Sequence, residues 1–159
     1  MFYSYNNFKQ DVDSIVSQVI NSGEFYDYIV GIVRGGAVPA VYLSHRLGIP
    51  MRTVSWSTFH GDQMRESAMD IADDISDGKK ILLVDDILDS GRTMKELLQD
   101  WGCERSKIGI AALIYNTRQE ITPNYYGRPI DRNENKDWVN FWWETDDDAL
   151  DIPPKPPKT

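Results

Sequence analysis

A single cysteine, Cys103, stands in the chain, so one copy has neither an internal disulfide nor a multi-cysteine zinc site. Basic side chains are in deficit: 17 Lys and Arg against 25 Asp and Glu give a formal charge of -8. Phosphate backbones are bound mainly through Lys and Arg clusters, so this balance argues against a nucleic-acid partner. No apolar run approaches the roughly 18 residues of a membrane span, and Met1-Phe2-Tyr3-Ser4 does not open a signal peptide. The expected location is therefore cytoplasmic, with no membrane partner. Histidine is nearly absent: His45 falls in a helical stretch and reads as structural, and His60 reads as a surface loop residue rather than a catalyst. No internal repeat is present. What remains, 41% hydrophobic and 26% charged over 159 residues, is the composition of one soluble domain with a full core.

The chain is organised around Ile81 to Thr93. Ile81-Leu82-Leu83-Val84 is apolar without alternation, the mark of a strand buried on both faces of a parallel sheet. Asp85 and Asp86 follow at its carboxyl end, where open α/β sheets place their ligands. Asp89-Ser90-Gly91-Arg92-Thr93 then leads into a helical pattern, Met94 to Trp101, closed by Gly102. Small hydroxyl and glycine residues opening a helix make a phosphate cradle, because the amides there are unpaired and the helix dipole favours an anion. Three acids beside a phosphate repel it unless they contact hydroxyls or a divalent cation intervenes. The site therefore suits a phosphorylated sugar with a hard cation such as Mg²⁺, which prefers oxygen ligands. The plainer alternative is a solvated acidic turn with Ser90 as an N-cap.

The same grammar recurs elsewhere. Phe8, Val12, Ile15, Val16, Val19 and Ile20 describe an amphipathic helix that ends at Asn21-Ser22-Gly23. Tyr28 to Val33 is a second apolar strand running into Arg34-Gly35-Gly36-Ala37-Val38-Pro39 and a helix to Leu47. This is either another anion-binding turn with an arginine beside it or a tight glycine turn with Arg34 solvated. Met51 to Trp56 reads as a short strand, Ser57 to Gly78 as a long polar loop, and Ile108 to Tyr115 as a further buried strand. Pro123 onward reads as irregular until the aromatic piece Trp138 to Glu144, which is either a buried terminal strand or a stacking platform as well. Thr145 to Thr159, acidic and proline-rich, reads as a poorly ordered tail. Strand, loop and helix repeat, giving an α/β fold with a mainly parallel sheet.

ILLVDDILDSGRT closely resembles the phosphoribosyl pyrophosphate motif of the type I phosphoribosyltransferases, and VRGGAVP is similar to their pyrophosphate loop. HGDQMRE resembles the lid of the xanthine-guanine branch, and the aromatic segment resembles the hood of the 6-oxopurine (xanthine-guanine and hypoxanthine) members. The resemblance covers about residues 24 to 144. It implies a doubly wound, mainly parallel sheet flanked by helices, with one domain over 1–144, a hood mainly in 116–144 and a tail at 145–159. It also implies transfer of phosphoribosyl from phosphoribosyl pyrophosphate to guanine, xanthine or hypoxanthine, with Mg²⁺, in a homo-oligomer (dimer or tetramer).

Carried over residue by residue, Asp85 and Asp86 would hold the ribose, and Asp89, Ser90, Gly91, Arg92 and Thr93 the 5′-phosphate. Arg34, Gly35 and Arg65 would hold pyrophosphate, with a cis peptide expected at Arg34-Gly35. Trp138 would stack on the base and the Val139 main chain read its edge, while Asp85, Asp86 and Glu144 would serve the metal. Asp89 occupies the place where 6-oxopurine members carry an aspartate that meets base N7, a group suited to accept that proton. One departure stands out: Asn116 falls where most such members have a lysine that donates to the base O6. Either Asn116 serves with its amide, or Arg118 takes over, or the substrate is not a standard purine. The alternative from another class is a regulator on this fold that binds phosphoribosyl pyrophosphate or a nucleotide without catalysis.

Overall fold

The structure, a computed structural model, describes residues 1–56, 62–102 and 104–144, and of 62–67 the backbone alone. In chain order the elements are β1 (Phe2–Tyr3), α1 (Tyr5–Ser22), β2 (Tyr28–Val33), α2 (Ala37–Leu47), β3 (Met51–Ser55), α3 (Asp62–Ser76), β4 (Ile81–Leu88), α4 (Arg92–Trp101), a 3₁₀ turn (Arg105–Lys107), β5 (Ile108–Asn116), β6 (Tyr125–Ile130) and β7 (Asn140–Phe141). The apolar runs become the centre of a five-stranded sheet in the order β3-β2-β4-β5-β6, with every pairing parallel.

Because successive side chains point to opposite faces, unalternated apolar strands fill two cores. Ile29, Leu82, Val84, Ala111 and Leu113 pack with α1 and the α2 residues Ala40 and Leu43 on one face. Val30, Ile32, Leu83, Ile110 and Ala112 pack with Ala68, Ile71 and Ile75 of α3 and Met94, Leu97 and Trp101 of α4 on the other. The expected sheet, buried on both sides, is what forms.

Two segments differ from the sequence reading. The long polar loop expected over Ser57 to Gly78 is largely helix: α3 spans Asp62–Ser76. Its apolar stripe, Ala68, Ile71, Ala72 and Ile75, has helical spacing, but the acid run on the opposite face masks it. The irregular stretch after Pro123 contains β6, the parallel edge strand beside β5. Tyr126, Gly127 and Arg128 are half-buried and Pro129 is exposed, so no alternation shows, and Gly127 and Pro129 are poor strand residues.

The terminal aromatic piece forms only a two-residue strand, β7, paired in parallel with β1. Trp142 N donates to Tyr3 O at 3.0 Å, and the Tyr3 ring meets Phe141 edge-on at 5.1 Å between centroids. Below this hood, Asp11 of α1 accepts from Tyr3 Oη (2.6 Å) and from Arg128 Nε and Nη2 (2.7 and 3.0 Å). A Cβ on Gly127 would overlap Asp11, so only glycine lets α1 and β6 approach this closely.

Candidate functional site

β2 and β4 lie side by side, but the chain leaves β2 toward β3 and β4 toward β5, on opposite sides. Their carboxyl ends therefore frame a crevice at a topological switch point. The loops from both strands meet there. A Cβ on Gly35 would overlap the Asp86 carboxylate, and one on Gly36 would overlap Val84 O and lie 2.7 Å from Ile32 O. Glycine at both positions is a steric requirement for bringing this backbone against Asp86 and the β4 main chain at Val84. The turn is closed by Gly36 N donating to Ile32 O (2.9 Å) and Ala37 N to Arg34 O (3.1 Å). The cis peptide lies at Val33-Arg34, one bond before the expected Arg34-Gly35.

Asp85 Oδ1 accepts from Asp86 N (2.9 Å) and Asp86 Oδ1 from Ile87 N (2.7 Å). Burial pushes the Asp86 carboxyl up from its ordinary range. Hydrogen bonds involving Asp85 and the Ile87 amide pull it down, and the Glu144 charge pushes it up again. Glu144 itself is exposed, with Oε2 accepting from Phe141 N at 3.4 Å. Among the described residues no three His, Cys, Asp or Glu are grouped to hold a metal unaided. The donor set still fits Mg²⁺: hard carboxylate oxygens beside a place for substrate, for an ion that takes one or two carboxylates and completes its shell with waters and phosphates.

Past Leu88 the strand turns through Asp89-Ser90-Gly91 into α4. Gly91 has φ 73°, a left-handed conformation that favours glycine. A cavity of about 360 Å³ opens here, lined among others by Ser90, Gly91, Arg92, Lys95, Arg118 and Gln119. Its cations are partnered: Arg92 with Glu96, Lys95 with Glu120 and Arg118 with Asp131.

The most informative contact involves a residue the sequence reading passed over. Arg132, just after β6, grips Asp89 bidentately, Nε to Oδ1 at 2.8 Å and Nη2 to Oδ2 at 2.7 Å. Its Nη1 donates to the main-chain oxygens of Asp137 (2.6 Å) and Asn135 (3.4 Å). The hydrogen bond to Asp89 is the main reason the guanidinium holds its proton more strongly than usual. Nothing in the local sequence Asp131-Arg132-Asn133 marks this role, because it depends on how β6 stands relative to the β4 loop.

Asn116, at the end of β5, is buried, and both ends of its amide are engaged: Nδ2 donates to Asp89 O (3.0 Å) and Oδ1 accepts from Arg118 N (3.1 Å). Arg118 turns away, its Nε and Nη2 on Asp131 at 2.6–3.1 Å. Neither residue expected to supply the O6 donor is presented to an incoming base in this arrangement. Trp138 is 62% exposed, an open aromatic face, while the adjoining Val139 is buried in the core. Arg34 is exposed at the mouth of the glycine loop. The Arg65 side chain, His60, Cys103 and the tail at 145–159 lie outside the described residues.

Comparison with known proteins bears on the family and the fold. The family model described as the phosphoribosyl transferase domain matches residues 1–150. The xanthine-guanine phosphoribosyltransferase of Ruegeria sp. (strain TM1040) is 38% identical over 76 residues, 42% of this chain and 43% of that protein. The protein of the same name from Cereibacter sphaeroides (strain ATCC 17025 / ATH 2.4.3) is 37% identical over 71 residues, 42% of each chain. The chain thus spans less than half the length of these curated relatives. Among solved structures, a purine phosphoribosyltransferase from Pyrococcus horikoshii Ot3 superposes with a TM-score of 0.67 at 25% identity, over 91% of this chain and 94% of that one. A hypothetical protein from Neisseria gonorrhoeae with bound ppGpp superposes with a TM-score of 0.71 at 26% identity, over 96% and 90%. The fold is shared with these neighbours, and with the family model matching nearly its whole length the chain belongs to the phosphoribosyl transferase domain family.

Proposed function

We propose that this chain transfers the 5-phosphoribosyl group of phosphoribosyl pyrophosphate to a 6-oxopurine (guanine, xanthine or hypoxanthine), giving nucleoside 5′-monophosphate and pyrophosphate in purine salvage. The observation that carries the reading is the meeting of Asp86, the second of the acid pair, with the Gly35-Gly36 turn at the switch point, next to the loop that opens α4.

Asp85 and Asp86 hold the ribose hydroxyls and favour the positive character the sugar gains as its bond to pyrophosphate breaks. Ser90, Gly91, Arg92 and Thr93 seat the 5′-phosphate at the helix N-terminus. Arg34, the Gly35 amide and Arg65 stabilise charge growing on the departing pyrophosphate. Asp89 accepts the base proton as the glycosidic bond forms, while Trp138 stacks on the ring and the Val139 main chain reads its edge. Asp85 and Asp86, with Glu144 near Asp86, are the groups that would hold Mg²⁺, which supplies neutralisation of phosphate charge. The setting is cytoplasmic and the active species a homo-oligomer, dimer or tetramer.

A regulator that binds a nucleotide without turnover is the second reading, prompted by the ppGpp bound to the Neisseria neighbour, although the transferase relatives weigh against it. The test is a screen of free bases with phosphoribosyl pyrophosphate and Mg²⁺, read by monophosphate formation. Turnover of a 6-oxopurine, lost in excess EDTA without unfolding, is expected. Tight phosphosugar binding with no turnover of any base supports the regulator.

A further inference from the structure

We infer that Arg132 is the residue that selects a 6-oxo base over a 6-amino base, by presenting a cationic donor to the exocyclic oxygen beside Asp89. The inference rests on the transferase reading and on Asp89 meeting the base at N7. On a purine, N7 and the exocyclic group at C6 lie side by side on one edge, the edge that guanidinium groups read through O6 and N7. A group chelated to the carboxylate that faces N7 is within reach of the C6 substituent. That group is Arg132, with Nε and Nη2 on the two Asp89 oxygens at 2.8 and 2.7 Å.

Two other candidates are otherwise engaged. Asn116 is buried, its Nδ2 held on Asp89 O and its Oδ1 on Arg118 N, and the exposed Arg118 is turned onto Asp131, away from the Asp89 carboxylate. A guanidinium has five N–H groups and no acceptor. Four bonds are made here, one each through Nε and Nη2 to Asp89 and two through Nη1 to the carbonyls of Asp137 and Asn135. The fifth hydrogen, the second on Nη2, is left for a ligand. An oxygen at C6 accepts from it, whereas an amino group there opposes donor to donor. The carbonyl bonds fix the guanidinium's plane and tie it to the segment that carries Trp138, so the base platform and the C6 reader move as one.

The experiment compares the wild-type protein with Arg132→Met and Arg132→Lys, measuring kcat/KM for guanine, hypoxanthine and adenine with phosphoribosyl pyrophosphate. Affinities for guanosine and adenosine monophosphates are measured alongside, as a readout without chemistry. The oxo-to-amino ratio should fall about ten- to a hundredfold in Arg132→Met, the discrimination typical of such a contact, with part of it recovered in Arg132→Lys. The monophosphate affinity ratio should move the same way. If both variants lose rate on all bases alike and keep both ratios, Arg132 only positions Asp89 and the inference is overturned. If the wild-type protein turns over no base, the transferase reading fails first, an outcome the wild-type assay alone identifies.

Discussion

Asp86 shows how function and stability diverge at a single residue. Its carboxyl is half-buried against the Gly35 turn, and this loss of solvent, together with Glu144, favours the protonated form in the folded state. A folded carboxyl that holds its proton more tightly than the unfolded one stabilises the fold at low pH. That stability is fully present below the ordinary carboxylate range and is lost as pH rises through the raised folded value. Asp86→Asn should therefore raise the melting temperature at neutral pH, flatten that loss, and abolish turnover. A lower Tm at pH 7 would contradict this account of the acid pair.

Asn116 gives a second residue-scale prediction. Asn116→Ala leaves Asp89 O and Arg118 N without their buried partner, costing about 1–3 kcal/mol of stability. Turnover of every base should fall together, in contrast to the ratio change expected at Arg132. Thermal melts and kcat/KM on two bases check both halves. Asp85, Asp86 and Ser90 to Thr93 were legible in the sequence because they are contiguous and their chemistry is local. Arg132 was not, since its partner Asp89 stands 43 positions away and the pairing exists only once β6 joins the sheet.

Among elements, the turn from β2 to α2 is the most constrained. Gly36→Ala would drive a Cβ into the Val84 carbonyl, and the obstacle is backbone rather than a flexible side chain. Overpacking of this kind costs about 1–3 kcal/mol, and here the displaced strand is the one that carries Asp85 and Asp86. We expect a lower Tm together with weaker pyrophosphate binding by calorimetry; wild-type values for both would show that the loop yields freely. The strands β2, β4 and β5 were readable because burial on both faces demands unbroken apolar runs. α3 escaped because its five acids, Asp62, Glu66, Asp70, Asp73 and Asp74, outnumber a four-residue stripe, and β6 because Gly127 and Pro129, which its packing on α1 and edge position allow, are poor strand residues.

At the scale of the whole molecule, the terminal aromatic piece packs into the main core, with Tyr3, Val139 and Phe141 beside α1 and the sheet residues. β1 pairs with β7, and Asp11 binds both Tyr3 and Arg128. Asp11→Ala would strand a half-buried guanidinium and a buried tyrosine hydroxyl, a loss of about 3 kcal/mol by analogy with broken buried pairs. Chemical denaturation should register it, and an unchanged midpoint would mean the hood is held by its aromatic packing alone. The central claim is that these pieces converge on one reaction at the switch point. Its most direct test is to incubate the protein with phosphoribosyl pyrophosphate, Mg²⁺ and each of guanine, xanthine, hypoxanthine and adenine, quantifying nucleoside monophosphate and pyrophosphate together. Equal amounts of both products from at least one 6-oxopurine, in excess over adenine, is the predicted result; phosphoribosyl pyrophosphate bound but no monophosphate from any base would contradict it.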